Sequence, residues 1–118
     1  MPTSLAQVKA QRLRAIAVAS LHRSPALPEV PTADESGVPG YEVVTWWGLL
    51  APARVPGDLI AKINRLAVAS LRSAEMRESL ARDGADAIGN SPAEFAAFIQ
   101  NESAKWSAVI KASGVKIE

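Results

Sequence analysis

Apolar residues follow two different patterns in the two halves of the chain. In the N-terminal half they form two runs of strand length, at residues 13–20 (LRAIAVAS) and 41–50 (YEVVTWWGLL). Both runs are predicted to be strands. The first is unbroken, as in a strand covered on both faces, and the second is dense in β-branched and aromatic residues. Because successive strand side chains point to opposite faces, Trp46 and Trp47 are predicted to occupy different environments.

The segment between these runs is rich in proline, which fixes φ and removes a backbone donor, so no long helix or central strand is expected there. Within it, Thr32 and Glu35 have the spacing of a capping box, and Gly37 can end the single turn in the left-handed conformation. A short helical turn is also predicted at Leu5 and Val8, before the first run. The prolines concerned are Pro25, Pro28, Pro31 and Pro39.

From Pro56 onward the apolar positions recur at helical spacing, and proline suits the first position of the helix that this spacing predicts. A second, short helix follows, with Ser73 as its N-cap and Gly84 as a left-handed C-cap. Residues 85–88 are a candidate short strand. The apolar stripe of the first of these helices comprises Leu59, Ile63, Leu66, Ala67, Ser70 and Leu71.

The last predicted helix has the strongest end signals in the chain. Ser91 is the N-cap, Pro92 takes the first helical position and Glu94 completes a capping box, while Gly114 ends the helix. At 1.5 Å per residue it would span roughly 30 Å, so it needs a partner surface larger than two short strands can offer. Its apolar stripe comprises Phe95, Phe98, Ile99, Trp106, Val109 and Ile110.

Composition narrows the classes of function. The 118 residues (12.5 kDa) amount to one small domain, and a net charge of +1 argues against nucleic acid as the main partner. Cysteine is absent and His22 is the single histidine, so neither a disulfide nor a zinc site is expected. Without a nucleophile–base pair or a phosphate loop, no enzymatic activity and no cofactor are predicted.

No run approaches the ~20 apolar residues of a membrane helix, and the N-terminus lacks the pattern of a secretory signal.

One long stretch of this sequence resembles a known family. The residues LRAIAVASLHRSPALPEVPTADESGVPGYE, which begin at Leu13, are followed by WWGLLAP. This order is similar to the C-terminal part of the Bug family, the periplasmic solute-binding proteins of tripartite tricarboxylate transporters. The resemblance continues through the helices to SPAEFAAFIQNESAKW and extends from about Leu5 to Glu118.

The resemblance implies an α/β chain that is the C-terminal fragment of a two-lobed, Venus-flytrap periplasmic-binding-protein fold, with few strands and a long C-terminal helix. Residues 1–40 would be a remnant of the second lobe. Residues 41–118 would form a crossing strand and helices that pack on the first lobe. The implied ligands are small carboxylated solutes, held between the lobes, and the implied protein partners are the transporter's membrane subunits. The implied location is the periplasm; with Met1 as the true start and no leader, the expectation would be the cytoplasm.

Four ligand-binding residues follow from that layout. Ser20 ends the first predicted strand, and ligands of open α/β sheets bind beyond the carboxyl ends of strands. Thr32 heads a turn whose free amides could meet an anion. Thr45 and Trp47 lie on the crossing strand, one face of which would look into the cleft. Ordinary capping or packing is the alternative role for each.

A second hypothesis is a stand-alone interaction module without ligand-binding activity. Large apolar patches seldom stay bare on soluble monomers. The surfaces that would meet the first lobe would then be covered by a second copy, which gives a homo-oligomer. The two hypotheses differ in the expected behaviour of the isolated chain: weak or no carboxylate binding for the first, and self-association for the second.

Overall fold

Four helices make up the regular structure of the chain in the computed structural model, which describes residues 2–115. The two long C-terminal helices and the short one between them confirm the helices that the spacing of apolar residues predicts. The helical turn predicted at Leu5 and Val8 lies in the first helix. The helices are α1 (Pro2–Lys9), α2 (Gly57–Leu71), α3 (Ala74–Arg82) and α4 (Pro92–Ser113).

The predicted N-caps of α3 and α4 are confirmed, and the C-cap of α3 is Asp83, which the predicted Gly84 follows in the left-handed conformation with φ of 67°. The Ser73 hydroxyl accepts from the backbone N–H of Met76 at the start of α3. At the start of α4, the Ser91 hydroxyl accepts from the N–H of Glu94 at 3.3 Å, and a Glu94 carboxylate oxygen accepts from the N–H of Ser91 at 2.8 Å. Gly114 ends α4 with φ of 67°, in the left-handed region that glycine adopts at low cost. These local signals therefore define both ends of the longest helix.

The three predicted strands do not form within residues 2–115. The run at residues 13–20 contributes only an isolated parallel bridge, between Val18 and Thr32. The run at residues 41–50 and the candidate strand at residues 85–88 have no regular secondary structure. A strand is stable only when neighbours accept and donate its backbone hydrogen bonds. Within residues 2–115 these runs make isolated backbone bonds, such as the Val18 bridge, but no continuous ladder, so no sheet forms.

The chain divides into two compact units. The first comprises the chain up to Ala51 together with Ser70–Ala87, and the second comprises Pro52–Ala69 together with the chain from Ile88 onward. In the first, four buried side chains form a small core against which Val8, Ala15 and Ala26 pack. That core comprises Leu5, Val18, Leu27 and Val30. The division into residues 1–40 and 41–118 stays a prediction.

The second unit contains most of α2 and all of α4, and its apolar side chains are incompletely covered. Among the described residues of α2 and α4, none is buried. The predicted stripe of α2 is partly open, because Leu59, Ile63 and Leu66 are exposed. One tertiary hydrogen bond in this unit joins the Asn64 side chain to the carbonyl of Asn90 at 2.8 Å. None of the described helices combines the length and apolarity needed to cross a membrane.

Candidate functional site

Thr32 lies at the centre of a hydrogen-bonded turn. Its hydroxyl accepts from the backbone N–H of Glu35 at 3.0 Å, and a Glu35 carboxylate oxygen accepts from the N–H of Thr32 at 2.9 Å. This reciprocal pair is the predicted capping box, which is confirmed. The side chain of Thr32 is only 1% exposed. The hydroxyl is therefore occupied and enclosed, and its role in the described chain is to hold the turn.

Arg23 fixes the same turn from outside. Its Nε donates to the nearer Glu35 carboxylate oxygen at 2.9 Å, and another guanidinium nitrogen donates to the carbonyl of Pro28 at 3.3 Å. The backbone N–H of Thr32, and next the guanidinium of Arg23, lower the pKa of Glu35 below its ordinary value. Glu35 thus stays ionised and occupies the position at the head of the turn where an anionic ligand would otherwise meet the Thr32 amide.

Ser20 lies close to this turn along the backbone. The N–H of Val18 donates to the carbonyl of Pro31 at 2.9 Å, and the N–H of Ala33 donates to the carbonyl of Val18 at 2.8 Å. These two bonds flank Thr32, and Ser20 follows Val18 by two residues. The half-buried Ser20 hydroxyl donates to the carbonyl of His22 at 2.7 Å. It can accept a hydrogen bond as it stands, but it would have to rotate to donate to a carboxylate.

A backbone hydrogen bond links the segment that carries Thr45 and Trp47 to the same region. The N–H of Val43 donates to the carbonyl of Ala19 at 2.8 Å. Thr45 is exposed two residues beyond this link, and the Trp47 side chain is 71% exposed. Trp46 is 39% exposed, so the two indoles differ in environment as the sequence predicts.

The backbone links bring Ser20 close to Thr32, whereas Thr45 and Trp47 follow the linked Val43 by two and four residues, and the chemistry of the four side chains differs. Thr32 is committed to the turn, and Ser20 donates internally. Thr45 and Trp47 present exposed side chains whose hydroxyl and indole N–H are donors suited to a carboxylate. Across residues 2–115, no three histidine or acidic side chains cluster in a way that could hold a metal ion.

One surface feature was not predicted from the sequence. A shallow, open groove of about 580 Å³ lies in the first unit, with Arg12, Arg14 and Glu29 among its lining residues. Gln11, on the same groove, has a positive φ of 56°, which is uncommon for a residue other than glycine. The alternating basic residues of Arg12-Leu13-Arg14 are the only sequence signal for this groove, and such a signal is common on solvated surfaces.

Comparison with known proteins identifies the family. The profile described as "Tripartite tricarboxylate transporter family receptor" (TctC) matches residues 1–115. The chain is 31% identical over 118 residues to Protein BugT of Bordetella pertussis, which covers all of this chain and 36% of BugT. It thus spans about a third of the length of that relative, and 31% of the "UPF0065 protein in tcbD-tcbE intergenic region" of Pseudomonas sp..

Two solved structures have the same fold over almost the whole chain. "R. palustris Rpa4515 with adipate" superimposes with a TM-score of 0.81 at 34% identity, covering 96% of this chain and 38% of Rpa4515. The periplasmic binding protein BugD superimposes with a TM-score of 0.82 at 32% identity, covering 98% of this chain and 39% of BugD. The arrangement described above is therefore part of a periplasmic-binding-protein fold. The chain belongs to the Bug/TctC family of tripartite tricarboxylate transporter receptors, whose members are binding receptors rather than enzymes.

Proposed function

We propose that this chain forms part of a periplasmic receptor that binds small carboxylated solutes and delivers them to the membrane subunits of a tripartite transporter. The observation that carries the proposal is the 34% identity and TM-score of 0.81 to Rpa4515, whose structure contains adipate. Adipate is a linear dicarboxylate, so a related site has to supply hydrogen-bond donors to carboxylate oxygens.

Thr45 and Trp47 are the residues in this chain that we assign to solute contact. Both are exposed, and both carry a donor. The indole also offers a rigid apolar face against the methylene groups of a dicarboxylate. Ser20 would contribute as a hydrogen-bond acceptor, or as a donor after its hydroxyl leaves the His22 carbonyl. Thr32 would act indirectly, by holding the turn that pairs with the chain leading to Ser20.

These contacts supply only part of a site, because the chain spans 38% of Rpa4515. Solute-binding proteins of two lobes hold their ligand by closing around it, so affinity depends on groups from both sides of the cleft. The isolated chain is therefore expected to bind adipate weakly or not at all, and the decisive test places the chain in a complete fold.

The test is a chimaera in which this chain replaces the matching segment of Rpa4515. Adipate binding is measured by calorimetry, alongside adipamide, which has the same length but no charge. The chimaera is expected to bind adipate and not adipamide. Trp47→Ala should weaken binding about tenfold or more, in line with loss of a buried aromatic contact. Gln100→Ala, a change at an exposed position of α4, is the matched control and should leave binding unchanged.

A folded chimaera that binds no adipate, or that loses nothing with Trp47→Ala and Thr45→Val, would refute the assignment of these contacts. Succinate and citrate are tested in parallel, because the solute of this chain need not be the one that Rpa4515 holds. If the chimaera has the same circular dichroism spectrum as Rpa4515 but binds none of the carboxylates, carboxylate binding is refuted as the function.

A self-associating module without ligand-binding activity is the second candidate, and the exposure of Trp47, Leu49 and Leu50 favours it. In light scattering, such a module would have a mass of two or more chains at micromolar concentration. A monomer of 12.5 kDa across the micromolar range would exclude this candidate.

A further inference from the structure

Exposure alternates from one side chain to the next along residues 41–47. The odd-numbered side chains from Tyr41 to Thr45 are exposed, and the even-numbered ones between them are half-buried. Trp46 and Trp47 continue the alternation, at 39% and 71% exposed. A period of two is typical of extended backbone, in which Thr45 and Trp47 share one face and Trp46 lies on the other. A shift of one residue in the register of this segment would therefore exchange the two faces.

A closed loop that begins and ends on adjacent residues sets this register. At its start, the backbone N–H of Ala33 donates to the carbonyl of Val18 at 2.8 Å. At its end, the N–H of Val43 donates to the carbonyl of Ala19, also at 2.8 Å. The loop of residues 33–43 thus leaves and returns at neighbouring carbonyls. How tightly it is folded determines which amide of the returning chain meets the carbonyl of Ala19.

The side chain of Asp34 joins the two ends of this loop. Its Oδ1 accepts from the backbone N–H of Gly40 at 2.6 Å, across six positions of sequence. Backbone bonds such as that from the N–H of Val38 to the carbonyl of Ala33 close the turn within the loop. The Asp34 bond reaches further, to a residue that precedes Val43 by three positions. Carboxylate acceptors form stronger hydrogen bonds than neutral oxygens do, so this bond suits a side chain that restrains the end of the loop.

We infer that Asp34 is the positioning residue that sets the register of residues 41–47, and with it the face on which Thr45 and Trp47 lie. Asp34 touches no solute in this assignment and acts through the loop that it closes. The consequence for solute binding rests on the proposed function, whereas the register itself does not. All the hydrogen bonds that carry the inference lie within the first compact unit.

The first experiment measures backbone amide exchange by NMR in the 118-residue chain, and by mass spectrometry in the Rpa4515 chimaera. Asp34→Ala removes the acceptor, whereas Asp34→Asn keeps an oxygen that can accept. Ser36→Ala is the matched control, because it removes a different hydrogen bond of the same loop, from the Ser36 hydroxyl to the carbonyl of Thr32 at 2.7 Å. The diagnostic amide is that of Val43, which Asp34 does not contact directly.

Asp34→Ala should speed exchange at the Val43 amide about tenfold. Asp34→Asn should restore most of the protection, and Ser36→Ala should leave this amide at the parent rate. Exchange at Val43 that Asp34→Ala does not change, or that Ser36→Ala changes equally, would overturn the inference.

The second experiment measures adipate binding by the chimaera in calorimetry. Asp34→Ala should weaken binding about tenfold, close to the effect of Trp47→Ala itself, and Asp34→Asn should recover most of that loss. Trp47→Ala should cost less in the Asp34→Ala background than in the parent, because a misplaced indole has less contact to lose. Fully additive losses would contradict the positioning role. A chimaera that binds no adipate would refute the proposed solute, while the exchange rate at Val43 would still decide whether Asp34 sets the register.

Discussion

Replacement of Thr32 by valine tests whether its buried hydroxyl, rather than its bulk, holds the turn. Valine keeps the shape of the side chain but removes the oxygen that accepts from the Glu35 N–H at 3.0 Å. Loss of an N-cap acceptor costs about 1 kcal/mol, and up to about 2 kcal/mol. Thr32→Ser is the matched variant, because it keeps the acceptor and removes only one methyl group. Since Thr32 is 1% exposed, removal of that methyl group should lower the free energy of unfolding by about 1 kcal/mol. Thr32→Ala loses both and should cost about 2 kcal/mol or more.

The assay is urea unfolding at pH 7, followed by circular dichroism at fixed protein concentration. With a slope of about 1–3 kcal/mol per molar urea, a loss of about 1 kcal/mol in Thr32→Val should lower the midpoint by about 0.3–1 M. The Thr32→Val and Thr32→Ser losses should add up approximately to the Thr32→Ala loss, because they remove different atoms. A Thr32→Val chain as stable as the parent would refute the view that the capping bond stabilises this turn.

Three further expectations follow from the caps and their carboxylates. Because the pKa values of Glu35 and Glu94 are lowered in the folded chain, both add stability above the ordinary value of 4.5 and lose it as the pH falls through the folded pKa. The free energy of unfolding should therefore decline as the pH falls from about 5 through the lowered pKa values of the folded chain, and the double change to glutamine should flatten that decline in urea titrations at each pH. Ser91→Ala should cost about 1 kcal/mol and reduce the helical dichroism, whereas Ser91→Asp should not. Gly114→Ala should cost about 1 kcal/mol in thermal unfolding, since φ at this residue is 67°.

Helix ends were predictable from the sequence because their determinants are local. The capping box of α4 needs only Ser91 and Glu94, three residues apart, and the structure shows both of its hydrogen bonds. The same holds for Thr32 and Glu35, even though no long helix follows them. Such motifs satisfy backbone groups within one turn, so they form with no contribution from distant parts of the chain.

The strand predictions failed because a strand depends on partners that the sequence pattern does not reveal. Residues 13–20 and 41–50 have the composition of strands, yet among the described residues Val18 forms only an isolated bridge and residues 41–50 have no regular secondary structure. The exposure of Leu59 and Ile63 on α2 has the same origin. A helical stripe predicts which side chains seek burial, but not whether the chain supplies a surface that covers them.

In the candidate site, too, the local contacts were predictable from the sequence and the contacts between distant residues were not. The sequence predicts that the Glu35 carboxylate reaches back to the Thr32 N–H, but it could not show that Arg23 also holds that carboxylate. The Arg23–Glu35 ion pair is a contact across twelve residues of sequence between two exposed side chains. For Thr45 and Trp47 the sequence placed both on one segment, and the structure leaves both exposed. Their assignment to solute contact stays a prediction.

Segment 43–50 connects the question of folding with the question of function. A solute held between two lobes requires that a polypeptide cross from one lobe to the other, and any crossing strand takes part in the packing of both. Thr45 and Trp47 stand on the segment whose neighbours Leu49 and Leu50 are uncovered in this chain. If neighbouring strands in a complete fold order this segment, the same step fixes the positions of Thr45 and Trp47. In the Rpa4515 chimaera, Leu49→Glu should therefore weaken adipate binding even though Leu49 carries no group that binds a carboxylate.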